Sequence, residues 1–182
     1  MLAGANDIAI QPLGAIRPEL LARIQASLQN IYGSTAAILP PLKIPREAWI
    51  AARQQYDSTK IIRFMTRSAP AAPERILGVC DVDLCTPILT FVFGAAEVGG
   101  RFAVISLQRL RPEAYGLPAD RLLFMQRCAK AAVHELGHTF GLRHCYRYDC
   151  IMFSCCSVEG TDLKQERFCP RCAEKLRDAR KC

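Results

Sequence analysis

Short apolar runs in the first two thirds of the chain predict a β-sheet. They span residues 7–13, 34–39, 76–84, 88–93 and 102–107. Each is six to nine residues long and is bounded by turn-forming residues, as is typical of strands. Residues 99 and 100 are consecutive glycines and predict the turn before the last of these strands. We therefore expect strands to make up most of the core between residues 7 and 107.

Apolar side chains at helical spacing predict four helices. They span residues 18–31, 58–65, 119–141 and 170–180. Pro18 occupies the first turn of the first helix, and residues 68–73 after the second helix are typical of a loop. Helices separate the strands in the first half and short loops separate them in the second. The pattern predicts an α/β fold with a mixed sheet and helices packed on it.

The chain changes character after Gly141. From there to the final helix the segments are short and irregular, and the sequence is rich in cysteine. We predict two parts in one domain: residues 1–141, which include the long third helix, and a small C-terminal part, residues 142–182. No internal repeat or low-complexity linker separates them.

Composition and charge exclude some classes of protein. No apolar run approaches the roughly 20 residues that cross a bilayer, so no membrane partner is expected. The first residues do not resemble a signal peptide, and we predict a cytoplasmic protein that is a monomer. The net charge of +7 comes from scattered arginines and is typical of a solvated basic surface. A preference for acidic substrates or for nucleic acid is the alternative, and nucleic acid is not the expected partner.

Ten cysteines without a secretion signal indicate metal binding and not a disulfide framework. Four of them form two pairs close to the histidine cluster, Cys145 with Cys150 and Cys169 with Cys172. The remaining cysteines show no comparable order; they are Cys80, Cys85, Cys128, Cys155, Cys156 and Cys182.

The three histidines of the chain lie in one segment, residues 134–144. His134 and His138 are four residues apart, so on a helix both imidazoles can bind one metal. Gly141 permits a sharp helix end that would bring His144 to the same metal. Three imidazoles leave one zinc position open, which is typical of a catalytic site.

Glu135 follows the first of these histidines and is placed to act as general base. Zinc lowers the pKa of a bound water from about 15.7 toward 7 and polarises a carbonyl. Glu135 would take the proton of that water and pass it to the leaving amine. The sequence therefore predicts hydrolysis of a peptide bond without a covalent intermediate.

The two cysteine pairs have the spacing of a closed, structural zinc site. Such a site can contribute about 10 kcal/mol of apparent folding free energy to a segment too small for its own core. Some of these thiols could instead be free core residues, with Cys155 or Cys156 as substitute ligands. The prediction is two zinc ions per chain, one catalytic and one structural.

The histidine segment, followed by Met152, matches the metzincin signature H-E-x-x-H-x-x-G-x-x-H with a methionine turn. Together with the four paired cysteines, it resembles the archaemetzincins. The match is strongest from Ala131 to Cys172. Residues 81–84 and 91–94 also resemble that family's region ahead of the active-site helix.

This resemblance implies a metzincin-like fold, with a twisted mixed sheet and packed helices above a small zinc-stabilised C-terminal lobe. It implies that His134, His138 and His144 hold the catalytic zinc, with Glu135 as base and Met152 in the turn beneath. It implies a second zinc on the cysteines Cys145, Cys150, Cys169 and Cys172. By the same analogy, substrate would add to a sheet edge along the cleft, formed by Phe91, Val92, Phe93 and Gly94.

Three functions are compatible with these residues. The first is a zinc peptidase acting on peptide or protein substrates, either an aminopeptidase or an oligopeptidase. The second is a catalytically silent zinc module that binds nucleic acid or a protein partner, although Glu135 would then have no use. The third is a redox switch that uses Cys80 and Cys85 as a pair, for which buried unpaired thiols are the simpler explanation.

Overall fold

The computed structural model describes residues 7–181, so the first six residues and Cys182 lie outside the described part. Its strands are β1 (Ile8–Leu13), β2 (Ala36–Ile38), β3 (Trp49–Ile50), β4 (Gln55–Asp57), β5 (Arg75–Cys80), β6 (Leu84–Cys85), β7 (Gly94–Ala96) and β8 (Phe102–Ser106). Its α-helices are α1 (Pro18–Tyr32), α2 (Ser58–Ser68), α3 (Arg121–Thr139), α4 (Val158–Leu163) and α5 (Pro170–Ala179). The predicted α/β class and mixed sheet are confirmed.

The main sheet has five strands in the order β2-β1-β5-β8-β7. The first four are parallel, and β7 pairs antiparallel with β8 at one edge. A small second sheet, in the order β3-β4-β6, was not expected from the sequence. Strands of two or three residues carry too little periodicity to stand out in a sequence.

Side chains of the main sheet alternate between two cores, because successive residues of a strand point to opposite faces. Ile8 and Ile10 of β1 pack with α1 and α3 on one face. Ala9 of the same strand packs with α2 on the other face. The sheet therefore lies between α2 on one side and the pair α1 and α3 on the other.

The prediction of a strand over residues 88–93 is wrong. This segment has no strand and makes one isolated bridge, between Val92 and Leu84. Arg53 donates to the carbonyls of Thr86, Leu89 and Thr90, at 2.9, 2.7 and 2.7 Å. These carbonyls therefore accept hydrogen bonds from a side chain and not from the backbone of a neighbouring strand. The edge strand begins only at Gly94.

The apolar run at residues 76–84 is likewise divided between two sheets. β5 ends at Cys80, and Leu84 belongs to β6 of the small sheet. Asp81 and Asp83 lie in the break, where they pair with Arg111 and Arg109, each at 2.6 Å. The chain turns here because both carboxylates are directed to arginines at the sheet end.

Helix α3 is the long helix predicted for residues 119–141, slightly shortened. Asp120 caps its start by accepting from the Leu123 amide at 2.9 Å. The helix ends at Thr139, and Gly141 takes the left-handed conformation with φ of 80°. Nearly every residue of its last two turns is buried.

Residues 142–181 add no strand to either sheet. The final helix is confirmed as α5, and α4 was missed by the sequence analysis. Among residues 7–181, no helix combines the length and the apolar character that crossing a bilayer requires.

Candidate active site and metal centres

The three histidines converge at the end of α3. Their ring nitrogens lie within 4.8 Å of one another. The Nε2 atoms of His134 and His138 are 3.2 Å apart. Two nitrogens bound to one tetrahedral zinc, each at about 2.05 Å, would lie roughly 3.3 Å apart, so this spacing fits the metal.

The other ring nitrogen of each helical histidine is held by a backbone carbonyl. Nδ1 of His134 lies 2.8 Å from the Ile151 carbonyl, and Nδ1 of His138 lies 2.7 Å from the Leu142 carbonyl. These carbonyls fix the tautomer that carries its proton on Nδ1, which leaves Nε2 free as a ligand. Burial lowers the pKa of all three imidazoles below the ordinary 6.5. Neutral imidazoles are the form that binds metal.

Gly141 turns the chain so that His144 can reach the pair on the helix. Its amide donates to the His138 carbonyl at 2.9 Å, which closes the helix end. His144 then stacks on His134 with ring centroids 5.4 Å apart. His144 is exposed, whereas the two helical histidines are buried, so the group opens toward solvent on this side.

Met152 lies beneath the histidines and is fully buried. Its sulfur would be 2.6 Å from a Cβ at Gly137, so the absence of a side chain there lets the methionine pack directly on α3. The Tyr32 hydroxyl lies near the same glycine, 3.4 Å from that Cβ position, and donates to the Val133 carbonyl at 2.7 Å. Met152 and Tyr32 therefore hold the same stretch of α3 in place.

The four paired cysteines form a second cluster. The sulfurs of Cys145, Cys150, Cys169 and Cys172 lie within 4.8 Å of one another. Sγ of Cys145 and Sγ of Cys169 are 3.8 Å apart, the separation of about 3.8 Å expected for two sulfurs at 2.3 Å from one tetrahedral zinc. Cys155 and Cys156 do not belong to this cluster and line the cavity described next.

A cavity of about 270 Å³ opens beside the histidines. Glu135 and the segment 89–94 line one part of it, and Ala131, Thr161 and Lys164 line another. Glu135 is 8% exposed, and burial raises its pKa to about 8, although the charge of Lys164 acts in the opposite direction.

Gly94 lets the edge strand come close to Glu135. A Cβ at this glycine would lie 2.5 Å from Cγ of Glu135 and 2.6 Å from the Val104 carbonyl oxygen. Both distances are too short to leave room for a methyl group at residue 94. The strand β7 therefore passes directly beside the carboxylate.

A sequence model described as peptidase family M54 matches residues 45–178. The archaemetzincin of Methanocaldococcus jannaschii is 41% identical over 171 residues, which cover 94% of this chain and 93% of that protein. The chain belongs to peptidase family M54. It is therefore a zinc metallopeptidase, and the predicted resemblance to archaemetzincins is confirmed.

Crystal structures of M54 relatives have the same fold. The archaemetzincin of Methanopyrus kandleri matches with a TM-score of 0.88 and 31% identity, over 100% of both chains. That of Archaeoglobus fulgidus, complexed with malonate, matches with a TM-score of 0.80 and 37% identity, over 92% of this chain and 98% of the other. The metzincin-like fold expected from the sequence is thus confirmed.

The segment expected to bind substrate in this M54 peptidase lines the cavity but is not a continuous edge strand. Of its residues, only Gly94 belongs to β7. Phe91, Val92 and Phe93 precede the strand and form the cavity wall next to Glu135. The ring of Phe91 is held under Arg109, with the guanidinium carbon 4.4 Å from its centroid.

The sequence analysis did not identify two groups of residues in the M54 site. The carbonyls of Leu142 and Ile151 orient the histidines, but backbone atoms carry no sequence signal. Lys164 lies between the cysteine pairs with no motif around it, and only the fold brings it to the cavity.

Proposed function

We propose that His134, His138 and His144 bind the catalytic zinc of this peptidase and that Glu135 is its general base. The carrying observation is that Glu135 lines the same cavity as His134 and His144 while the Nδ1 atoms of His134 and His138 are engaged by carbonyls. Zinc bound there would supply a Lewis acid for the water and the substrate carbonyl.

The residues of the chain account for proton transfer. Glu135 is buried beside the open face of the histidine group, where it can accept a proton from a water and deliver it to the leaving amine.

Substrate would bind in extended form along β7, the outermost strand of the main sheet. The support is the close approach of Gly94 to Glu135, which brings a peptide paired with this strand next to the base. The cavity beside the histidines measures about 270 Å³, and we propose an aminopeptidase or oligopeptidase that acts on short peptides.

We further propose a structural zinc on Cys145, Cys150, Cys169 and Cys172, making two zinc ions per chain. The sulfur spacing and the burial of three of the four cysteines support a closed site. This zinc would stabilise residues 142–182 as a small subdomain beneath residues 1–141. The monomeric state and the cytoplasmic location stay predictions from the sequence.

The redox alternative receives no support from the geometry. Burial raises the pKa of the Cys80 thiol to about 12, and both Cys80 and Cys85 are fully buried. Thiols in this state are poor nucleophiles.

The test compares the zinc-loaded chain with the Glu135→Ala variant on a diverse peptide mixture, with products identified by mass spectrometry. Wild type should give products and the variant should lose at least about 100-fold of the rate while keeping its zinc. The termini of the products distinguish an aminopeptidase from an oligopeptidase. Cleavage by the variant at the wild-type rate would contradict the assignment of the base. Absence of cleavage by either zinc-loaded protein would favour the silent binding module.

A further inference from the structure

Lys164 is a buried lysine at one end of the cavity, directly after α4. Its side chain is 5% exposed. It lines the cavity together with Ala131, Cys155 and Thr161. Lysines this deeply buried normally have an ionic partner, since an ammonium group loses much of its hydration there.

No ion pair of 4.0 Å or less holds Lys164 within residues 7–181, and the carboxyl group on which its charge acts is that of Glu135 in the same cavity. No carboxylate oxygen in this range lies within 4.0 Å of Nζ of Lys164. The neighbouring Lys130 differs in this respect, since it donates to the carbonyls of Thr161 and Asp162 at 3.2 and 2.9 Å.

The polar contact that Nζ of Lys164 makes with His134 offers no hydrogen-bond acceptor once the histidines bind a metal. Its Nζ lies 3.4 Å from Nδ1 of His134. That nitrogen also lies 2.8 Å from the Ile151 carbonyl, to which it donates its proton when Nε2 binds a metal. Nδ1 then has no lone pair to offer. Lys164 lines the cavity, and its ammonium group then has no acceptor at this nitrogen.

The other walls of the cavity offer no competing cation. Among the described lining residues, Glu135 is the only carboxylate and Lys164 is the only lysine or arginine. Leu89, Phe91, Val92 and Phe93 make much of the remaining wall apolar. Apart from zinc on the histidines, Lys164 would be the one cation of a largely apolar cavity, and such a cation favours a carboxylate as its guest group.

We propose that Lys164 binds a carboxylate of the peptide substrate and gives this enzyme a preference for acidic peptides. This inference rests on the proposed peptidase site, because it assigns one end of the same cavity. The carboxylate can come from an aspartate or glutamate side chain or from a free C-terminus. A short distance from the histidines to Lys164 means that the residue bearing the carboxylate is close to the scissile bond.

The test uses four versions of one short peptide series, with Glu or Gln at a position scanned across the cleavage site and with a free or amidated C-terminus. The zinc-loaded full chain should cleave the carboxylate version on the order of 100-fold faster, as kcat/KM, than its neutral counterpart. A Glu-over-Gln difference identifies a side chain as the source, and an acid-over-amide difference identifies the C-terminus.

Two variants of Lys164 decide whether this residue is responsible. Lys164→Met should reduce the carboxylate preference to near 1-fold, and Lys164→Glu should favour peptides with Lys in place of Glu. Lys60→Met is the matched control, because Lys60 is exposed on α2 across the sheet and should leave the preference unchanged. Zinc content and circular dichroism report whether each variant is folded and loaded.

A wild-type enzyme that cleaves the neutral and acidic peptides equally would overturn the proposal. If no protein cleaves any peptide, the peptidase proposal fails separately, and binding decides the role of Lys164. Calorimetric titration of the same peptides into the zinc-loaded Glu135→Ala chain should then show affinity for carboxylate versions that Lys164→Met removes. Equal affinity for acid and amide versions would also overturn it.

Discussion

At the scale of single residues, two glycines of the site allow neighbouring elements to pack closely against α3. Gly94 and Gly137 are the two clearest cases, because a Cβ at either would come within 2.6 Å of a neighbouring atom. Gly94 gives Glu135 its space on the strand side, and Gly137 gives Met152 its space beneath the helix. Both glycines are needed for their lack of a side chain and not for an unusual backbone conformation.

We expect Gly94→Ala to reduce kcat by about 100-fold while zinc stays bound. The added methyl group would lie closer to the Glu135 side chain than van der Waals contact permits, so the carboxylate would have to move away from its position. Strain against the Val104 carbonyl should also cost about 1–3 kcal/mol of unfolding free energy. Steady-state kinetics with zinc analysis measure the first effect and denaturant titration measures the second.

Ala95→Ser on the same strand is the control, since neighbouring strand residues point to opposite faces. It should keep nearly full activity. A Gly94→Ala enzyme with wild-type kcat would show that Glu135 does not depend on this close approach.

The residue scale is also where the sequence was most informative. The three histidines lie within eleven residues of one another, so a helix followed by a glycine turn is enough to predict that their imidazoles meet. Within each cysteine pair the spacing is equally local. The carbonyls that orient the histidines and the position of Lys164 depend on chain segments far apart in sequence. No local pattern could reveal them.

At the scale of elements, α4 shows how a weak helix is held in place. It has six residues, and one of them is a glycine, so local propensity does not explain it. Arg127 of α3 is 3% exposed and pairs with Asp162 of α4 at 2.6 Å. Lys130 donates to carbonyls of the same short helix. Tertiary contacts with α3 stabilise this element, which is why sequence periodicity did not predict it.

We expect Asp162→Ala to lower the free energy of unfolding by about 3 kcal/mol, because it leaves the Arg127 guanidinium buried and without its carboxylate. Since Lys164 follows α4 directly, hydrogen exchange of residues 158–164 should also become faster. Denaturant titration and hydrogen exchange with mass spectrometry measure the two effects.

Glu47→Ala serves as the comparison, because its pair with Arg67 is more than half exposed on both sides. It should cost less than about 1 kcal/mol. Equal losses for the two variants would mean that burial of Arg127 does not control the docking of α4.

Residues 86–93 are the opposite case, because the strand predicted over residues 88–93 does not form. Ile88 is 90% exposed, and Arg53 binds three carbonyls of the segment. An arginine about 35 residues away in the chain determines this conformation, so hydrophobic pattern alone gave the wrong answer.

At the scale of the whole molecule, the two metal centres should differ in how easily they lose zinc. The histidine group is open to the cavity and to solvent at His144, whereas three of the four cysteines are buried. We expect a chelator to remove one zinc per chain quickly and the second much more slowly.

Loss of the first zinc should abolish peptidase activity and leave the far-ultraviolet circular dichroism nearly unchanged, since the sheet and its helices have their own cores. Loss of the second should unfold residues 142–181, because zinc in such a site provides about 10 kcal/mol or more of folding free energy. Zinc release followed by an indicator dye, with hydrogen exchange at each stage, measures both steps. Simultaneous loss of both ions would contradict the assignment of one open and one closed site.

The sequence by itself determined the class of fold, the long helix that carries two of the histidines and the two sets of candidate metal ligands. These depend on short-range spacing, on apolar periodicity and on a glycine that ends a helix, all of which are local in the chain. The tertiary structure alone decided the edge strand beside Glu135, the docking of α4 and the burial of Lys164 in the cavity. These arise from contacts between segments distant in sequence, whose energies depend on burial and on which partners the fold brings together.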